Sequence, residues 1–303
     1  MTTVPLNHEE RVCVPAVAVR QPVRGSLALD FKSDVRSGMT FLAASAQEPP
    51  LRIIRPFRLE DGSVLVHLHN VSGGVLGGDC LNTSVNVGPR ASVQVTSTGA
   101  TRVYRSRDNW PATTQFNRFT VAENALLEYV PDAIIPFAKA RFRQETTINL
   151  DAGAGLFWWE ILSPGRLARG EVFEYEYVEL KTDITVEGRS IVAENVRLQP
   201  EVRELSSFAR LGPYRYWFTF YIARVGLQTE AWLAGEETLR EVVRKFHQPG
   251  EALWGISALP SHGLTVRGLS RRGSDILPAL RSVWSAAKML LYGREAIPPR
   301  KVN

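Results

Sequence analysis

Three carboxylates sit where the neighbouring sequence leaves little room for charge. Asp79 closes the segment Ser72-Gly73-Gly74-Val75-Leu76-Gly77-Gly78-Asp79, Glu160 lies inside Leu156-Phe157-Trp158-Trp159-Glu160-Ile161-Leu162, and Glu194 follows Ile191-Val192-Ala193. A carboxylate in an apolar run either alternates to the wet face of a strand or is buried beside a partner, because an unpaired buried charge is costly. The second case describes an internal polar cavity lined by oxygen ligands. The glycine pairs Gly73-Gly74 and Gly77-Gly78 allow positive φ and close backbone approach. Their segment is either a tight connection between sheet layers or a loop that presents Asp79. It is neither a Walker loop, since no Lys-Ser/Thr follows, nor a dinucleotide fingerprint, since no helical pattern follows.

The histidines and cysteines offer less. His67 and His69 share one face of a strand-like run, with Cys80 close by in sequence, which is either a soft metal set or an ordinary half-buried strand. Two cysteines, Cys13 and Cys80, make neither a disulfide framework nor a four-ligand zinc site. HExxH, CxxC and a GxSxG nucleophile elbow are all missing, so the chain does not read as an enzyme. A rival reading pairs Asp79 with Glu160 as the two acids of a β-scaffold glycoside hydrolase, or of a carbohydrate-binding module. Against it, no aromatic ladder with sugar-stacking spacing is present. The aromatic stretch Tyr214–Tyr221 is either a core strand or an interface anchor, and packing is the ordinary use of such residues.

These residues are carried by short β elements over the first two-thirds of the chain. Val64–His69 is a β-branched run bounded by turn residues, and Val93 and Val95 alternate with Ser92, Gln94 and Thr96 as in a strand with one wet face. Phe173, Tyr175 and Tyr177 interleave with Glu174, Glu176 and Glu179 in a similar way. Near residue 235 the period changes. Leu239, Val242, Val243 and Phe246 follow helical spacing, Glu241 stands four before Lys245, and Pro249-Gly250 closes the helix. Strands are predicted at Leu253–Leu259 and Leu264–Leu269. A second helix is capped by Ser274-Asp275, aligns Leu277, Leu280, Trp284, Ala287 and Leu291, and stops at Gly293. The expected fold is mainly β, with many short strands in layered sheets and a small α+β C-terminal lobe carrying two helices. The expected organisation is an N-terminal extension (1–23), a β-rich body (24–210) and the C-terminal lobe (211–303) packed on it.

Composition narrows the partners. The 303 residues carry 36 basic and 31 acidic side chains, a formal charge of +5, and 30 of the 36 basic residues are Arg. Arginine suits flat, bidentate contacts at interfaces. The charge is too dilute and too interleaved with acids for a nucleic-acid partner. No apolar stretch is long enough for a membrane helix, and the acidic N-terminus lacks a signal-peptide core, so a cytoplasmic protein is expected.

Four blocks in order together resemble the family of urease accessory protein D, called H in some bacteria. They are His69–Asp79, Thr98–Ser106 with Tyr104 and Arg105, Leu127–Phe137 with Pro131, and Gly165-Arg166 followed by Arg169-Gly170-Glu171-Val172-Phe173. The likeness runs from about Arg24 to Arg300, more loosely in the C-terminal lobe. The resemblance implies a β-rich scaffold with two helices that is not an enzyme. It implies binding to apo-urease and to accessory protein F, which recruits the nickel-delivering GTPase G. It further implies that Ni²⁺ is carried in transit through an internal path, with no tightly bound cofactor, and that Asp79, Glu160 and Glu194 are the acids of that path. Carboxylates bind Ni²⁺ weakly, which fits a conduit whose ion must leave. The C-terminal helix, through Trp284, Met289 and Tyr292, is the expected partner face.

Overall fold

The computed structural model describes residues 22–299. The predicted extension, apart from Pro22 and Val23, lies outside the described residues, as do His8 and Cys13. The chain opens with β1 (Arg24–Ser33), β2 (Thr40–Glu48), β3 (Leu51–Arg52), β4 (Phe57–Arg58), β5 (Val64–Asn70) and β6 (Cys80–Val87). It continues through β7 (Ser92–Ser97), β8 (Thr101–Val103), β9 (Thr113–Val121), β10 (Leu126–Tyr129), β11 (Ile134–Pro136) and β12 (Arg141–Leu150). Then come β13 (Gly155–Leu162), β14 (Tyr177–Val186), β15 (Arg189–Leu198) and β16 (Tyr216–Arg224). The last elements are α1 (Thr229–Arg244), β17 (Ala252–Ala258), β18 (Gly263–Ser270) and α2 (Ile276–Tyr292).

Two sheets hold these strands. One has seven strands in the order β15-β14-β12-β9-β6-β1-β2; the other has eleven, with the path β17-β18-β16-β13-β10-β7-β5-β3. From β5 to β14 the longer strands alternate between the two sheets, so successive strands within a sheet run parallel. Parallel neighbours need a crossover, and here the crossover is a strand of the opposite sheet rather than a helix. That winding explains why turn residues recur at short intervals and why no helical pattern appears until late in the chain. The fold is mainly β, as expected.

The sheets pack face to face around Phe31, Val66, Val85, Val95, Phe119, Phe142, Trp158 and Ile184. A second core lies on the far side of the eleven-stranded sheet, where Phe157, Trp159, Phe218 and Phe220 meet Trp232 and Leu239 of α1 and Val283, Trp284 and Ala287 of α2. Strand β13 is therefore buried along its whole length on both faces, which is what its unbroken apolar run around Glu160 reflects. The aromatic stretch into β16 is core strand. The strands β16–β18 extend the same sheet, joined to it by eight residue pairs between β13 and β16.

Several local expectations are corrected. Strand β7 has no wet face: Gln94 and Thr96 are fully buried, because Gln94 Nε2 donates to Ile297 O (2.9 Å) and Thr96 Oγ1 to Val130 O (2.7 Å). Glu171–Glu176 is not strand, since Phe173 takes a left-handed φ of 58° and β14 starts only at Tyr177. Helix α1 ends at Arg244, ahead of Pro249-Gly250. Its final turn tightens as Lys245 N and Phe246 N donate to Val242 O and Val243 O. Glu241 pairs with Arg244 (2.5 Å) at i+3, one residue before the expected Lys245. Helix α2 starts after Asp275 without a side-chain cap and stops, as read, at Gly293 in the left-handed region.

Candidate functional site

The Gly-rich segment joins β5 in one sheet to β6 in the other. At Gly74 a Cβ would stand 2.5 Å from the Tyr104 ring and 2.6 Å from Arg102 O, so a side chain is excluded there. Asp79 is 1% exposed and clamps the turn: its Oδ1 accepts from Val23 N (3.0 Å) and its Oδ2 from Leu76 N (2.9 Å). Its charge is therefore answered by backbone N–H groups that fix where β1 and β6 begin.

Glu160 and Glu194 meet elsewhere, between the sheets. Glu160, 4% exposed, points inward from β13 and accepts from Gln144 Nε2 of β12 and Thr182 Oγ1 of β14 (3.3 Å). Burial, and secondarily the charge of Glu194, push its pKa up to about 7. Glu194 is half-buried on β15, where it accepts from the Tyr221 hydroxyl and pairs with Arg267 Nη2 at 2.8 Å. Two acids thus share one layer, one buried and partly protonated near neutrality, the other held by a phenol and a guanidinium at the sheet edge.

The layer extends beyond them. In register across the seven-stranded sheet, Glu194 neighbours Thr182, Thr182 neighbours Thr146, Thr146 neighbours Asn117, and Asn117 neighbours Thr83. In-register neighbours share a face, so these side chains form one polar row under the core-facing surface. Thr182, Thr146, Asn117 and Thr83 are all buried. The row ends in a cavity of about 290 Å³ whose wall includes Thr83, Gln115 and Tyr129 and whose lip includes Gly73, Gly74 and Arg102. On the same face of β13 as Glu160, the indole N–H of Trp158 is buried with no hydrogen-bond acceptor among the described residues. Hydroxyl, amide and carboxylate oxygens at this spacing suit a hard or borderline divalent cation, held weakly.

The remaining predicted residues fall into place differently. His67 and His69 line an apolar groove on the outer side of β5, whereas Cys80 starts β6 in the other sheet. Among the described residues no three His, Cys, Asp or Glu side chains are arranged to hold a metal, so this set does not assemble. Burial, then the neighbouring His67, lower the His69 pKa below its usual value. Trp284 is 0% exposed inside the second core, and Tyr292 packs on Phe157 at 6.0 Å, so of the three expected partner residues only Met289 presents an open surface. The tryptophan is buried because α2 turns its apolar stripe to the sheet. A glycan-cleaving pair is likewise not formed: Asp79 is spent on backbone donors and Glu160 is closed between sheets.

The motif residues of the fourth block surround one ion pair. Arg166 donates to Glu171 from Nε and Nη2, with Nε–Oε2 at 2.8 Å, and Gly165 takes a φ of 142° where a Cβ would reach Glu171 O at 2.9 Å. Gly170 closes the short turn Leu167–Arg169 in the left-handed region. Gly77 packs on Ser106, Arg105 is exposed, and Pro131 O accepts from Trp159 Nε1 at 2.9 Å.

The model of the UreD urease accessory protein family matches residues 23–303. The chain belongs to the UreD family. A urease accessory protein UreD of Herpetosiphon aurantiacus is 44% identical over 280 residues, covering 92% of this chain and 96% of that protein. A UreD of Staphylococcus aureus is 30% identical over 249 residues, covering 82% and 87%. A role in urease maturation, as an accessory protein, follows from membership.

This UreD-family chain also holds a charged cluster that the sequence reading did not single out. Glu128 of β10 is 0% exposed. It accepts from Trp284 Nε1 (2.7 Å) and pairs with Lys288 Nζ (2.7 Å), itself 1% exposed. Asp61 joins from the first third of the chain, 3.6 Å from Lys288 and 3.3 Å from Arg294. An acid inside Leu126-Leu127-Glu128-Tyr129 and a lysine in the apolar run of α2 were the available signals. No described helix is long and apolar enough to cross a membrane.

Proposed function

We propose that this chain is a non-enzymatic chaperone of nickel insertion into apo-urease, working in the cytoplasm. In this reading it bridges urease to accessory proteins F and G, the latter a GTPase, and Ni²⁺ is cargo that moves through the polar layer between its sheets. The observation that carries the reading is the in-register row from Glu194 through Thr182, Thr146 and Asn117 to Thr83, with Glu160 facing it from the other sheet. Glu160 and Glu194 are the acids of the passage. Asp79 takes part by holding the Gly-rich loop at the cavity lip rather than by touching the ion.

The chemistry fits transit. Isolated oxygens exchange borderline cations readily, whereas imidazole and thiolate sets retain them. A cation beside Glu160 would offset the burial and, secondarily, the repulsion from Glu194 that together raise its pKa. The test is co-expression with apo-urease and its accessory proteins, followed by urease activity and bound nickel. Glu160→Gln and Glu194→Gln should each leave the assembly intact and lower nickel content by about tenfold, the size expected for one lost stabilising contact of roughly 1.4 kcal/mol. Full nickel loading in the double variant would overturn the passage. Nickel loading that does not depend on this chain would overturn the chaperone role.

A further inference from the structure

Four segments far apart in sequence build one surface at the lip of the cavity. Arg102 and Tyr104 lie side by side against Gly74. Tyr104 meets Phe137 edge-on with ring centroids 4.8 Å apart, and the Arg166 guanidinium lies 4.2 Å above the Phe137 ring. Glu171 fixes that guanidinium from one side and accepts from Ala138 N at 3.2 Å from the other. The backbone is stitched beneath: Tyr104 N donates to Val75 O and Phe137 N to Val103 O, both at 2.8 Å. Tyr104 and Phe137 are half-buried, so each keeps an open edge while its rotamer is held.

Such an arrangement has already lost the side-chain freedom that binding usually costs. Tyr and Arg in pre-fixed positions are the residue types that dominate protein–protein hot spots. Arg102, Arg105 and Arg169, within three residues in sequence of Tyr104 or Arg166, are exposed, and none forms an ion pair among the described residues. Glu171 is committed to Arg166 and Glu174 adds one further acid nearby, so with Arg102, Arg105 and Arg169 this face carries a net positive charge. The face reaches the cavity through Arg102, which lines it together with Gly73 and Gly74. The Arg102 charge there repels a free divalent cation.

We propose that this face, centred on Arg102, Tyr104, Arg105, Phe137 and Arg166, docks an acidic face of a partner protein over the cavity lip. The acidic cover answers the exposed arginines and cancels the repulsion at the lip, so cation transfer is confined to the docked state. That last consequence rests on the passage described above, whereas docking does not. Nucleic acid fits less well, because the chain's net charge of +5 is dilute and interleaved with acids.

The experiment measures the affinity of the full chain for purified apo-urease and, separately, for accessory protein F, at low salt and at about 0.5 M salt, where surface charges are screened. The parent is compared with Arg102→Glu/Arg105→Glu and with Tyr104→Ala, each checked for an unchanged circular-dichroism spectrum. The expected result is parent binding to one of these proteins that weakens with salt. The charge reversal should lower it about tenfold or more at low salt, and Tyr104→Ala by a similar factor at both salts. Equal affinity of parent and charge reversal overturns the docking face. A parent that binds neither protein overturns the chaperone reading and this inference together. Retention of a DNA duplex that the charge reversal abolishes, with protein binding unchanged, overturns the choice of an acidic protein.

Discussion

Glu160 and Asp79 are both buried acids, yet their surroundings ask different things of them. Glu160 binds its proton more tightly folded than unfolded, because its pKa rises from an ordinary 4.5 to about 7. Between those values the folded state holds more protons, so stability falls as pH rises from 4.5 through 7. Glu160→Gln removes that slope. The variant should match the parent near pH 4.5 and exceed it at pH 8 by up to about 3 kcal/mol in urea titrations, from roughly 1.4 kcal/mol per pKa unit. A parent whose stability is flat over this range would refute the buried, partly protonated state. Asp79 serves the backbone instead, because its oxygens satisfy Val23 N and Leu76 N. Asp79→Ala should cost about 2 kcal/mol by leaving those donors unanswered, and Asp79→Asn, which keeps an acceptor, less than half of that. Activation lost in Asp79→Ala should therefore return on lowering the temperature, as it should not in Glu160→Gln.

At the scale of elements, α2 is fastened to the eleven-stranded sheet by charge as well as by packing. Lys288 and Glu128 are both sealed from water, and Trp284 donates to the same carboxylate. Removing one partner of such a pair strands the other. Lys288→Met is expected to destabilise the protein by about 3–5 kcal/mol, whereas adding Glu128→Leu to it should recover a large part of the loss. Chemical denaturation of the two variants decides this; a double variant no better than the single would place the loss in packing instead. The helix α1 lacks a comparable tie, and its surface pairs Arg240–Glu236 and Arg244–Glu241 contribute little each.

For the whole molecule, the question is whether the predicted body and lobe behave as separate units. Strands β13 and β16 bridge the proposed boundary with eight pairs, and the two cores lie on opposite faces of the same sheet. A single unfolding transition, coincident by near- and far-ultraviolet circular dichroism, is expected from that continuity. Two resolved transitions would restore the boundary near residue 210.

Much of this was legible from residue types and spacing, and the rest was not, for a definite reason. The mainly β character, the two late helices, the Gly293 stop and the unusual company of Asp79, Glu160 and Glu194 are local matters of period, turn chemistry and polarity, which neighbouring residues determine. Which acids meet is decided by which strands lie opposite, and here successive strands enter different sheets. Thus Glu160 and Glu194, thirty-odd residues apart, share a layer, while Asp79 is claimed by backbone donors. Burial on both faces of β7 depended on a C-terminal segment two hundred residues away, beyond the reach of an alternating pattern. The aromatic–arginine face and the Glu128–Lys288 pair likewise exist only once distant segments converge. Local sequence set the elements and their punctuation; long-range sheet register alone chose the partners of each buried charge.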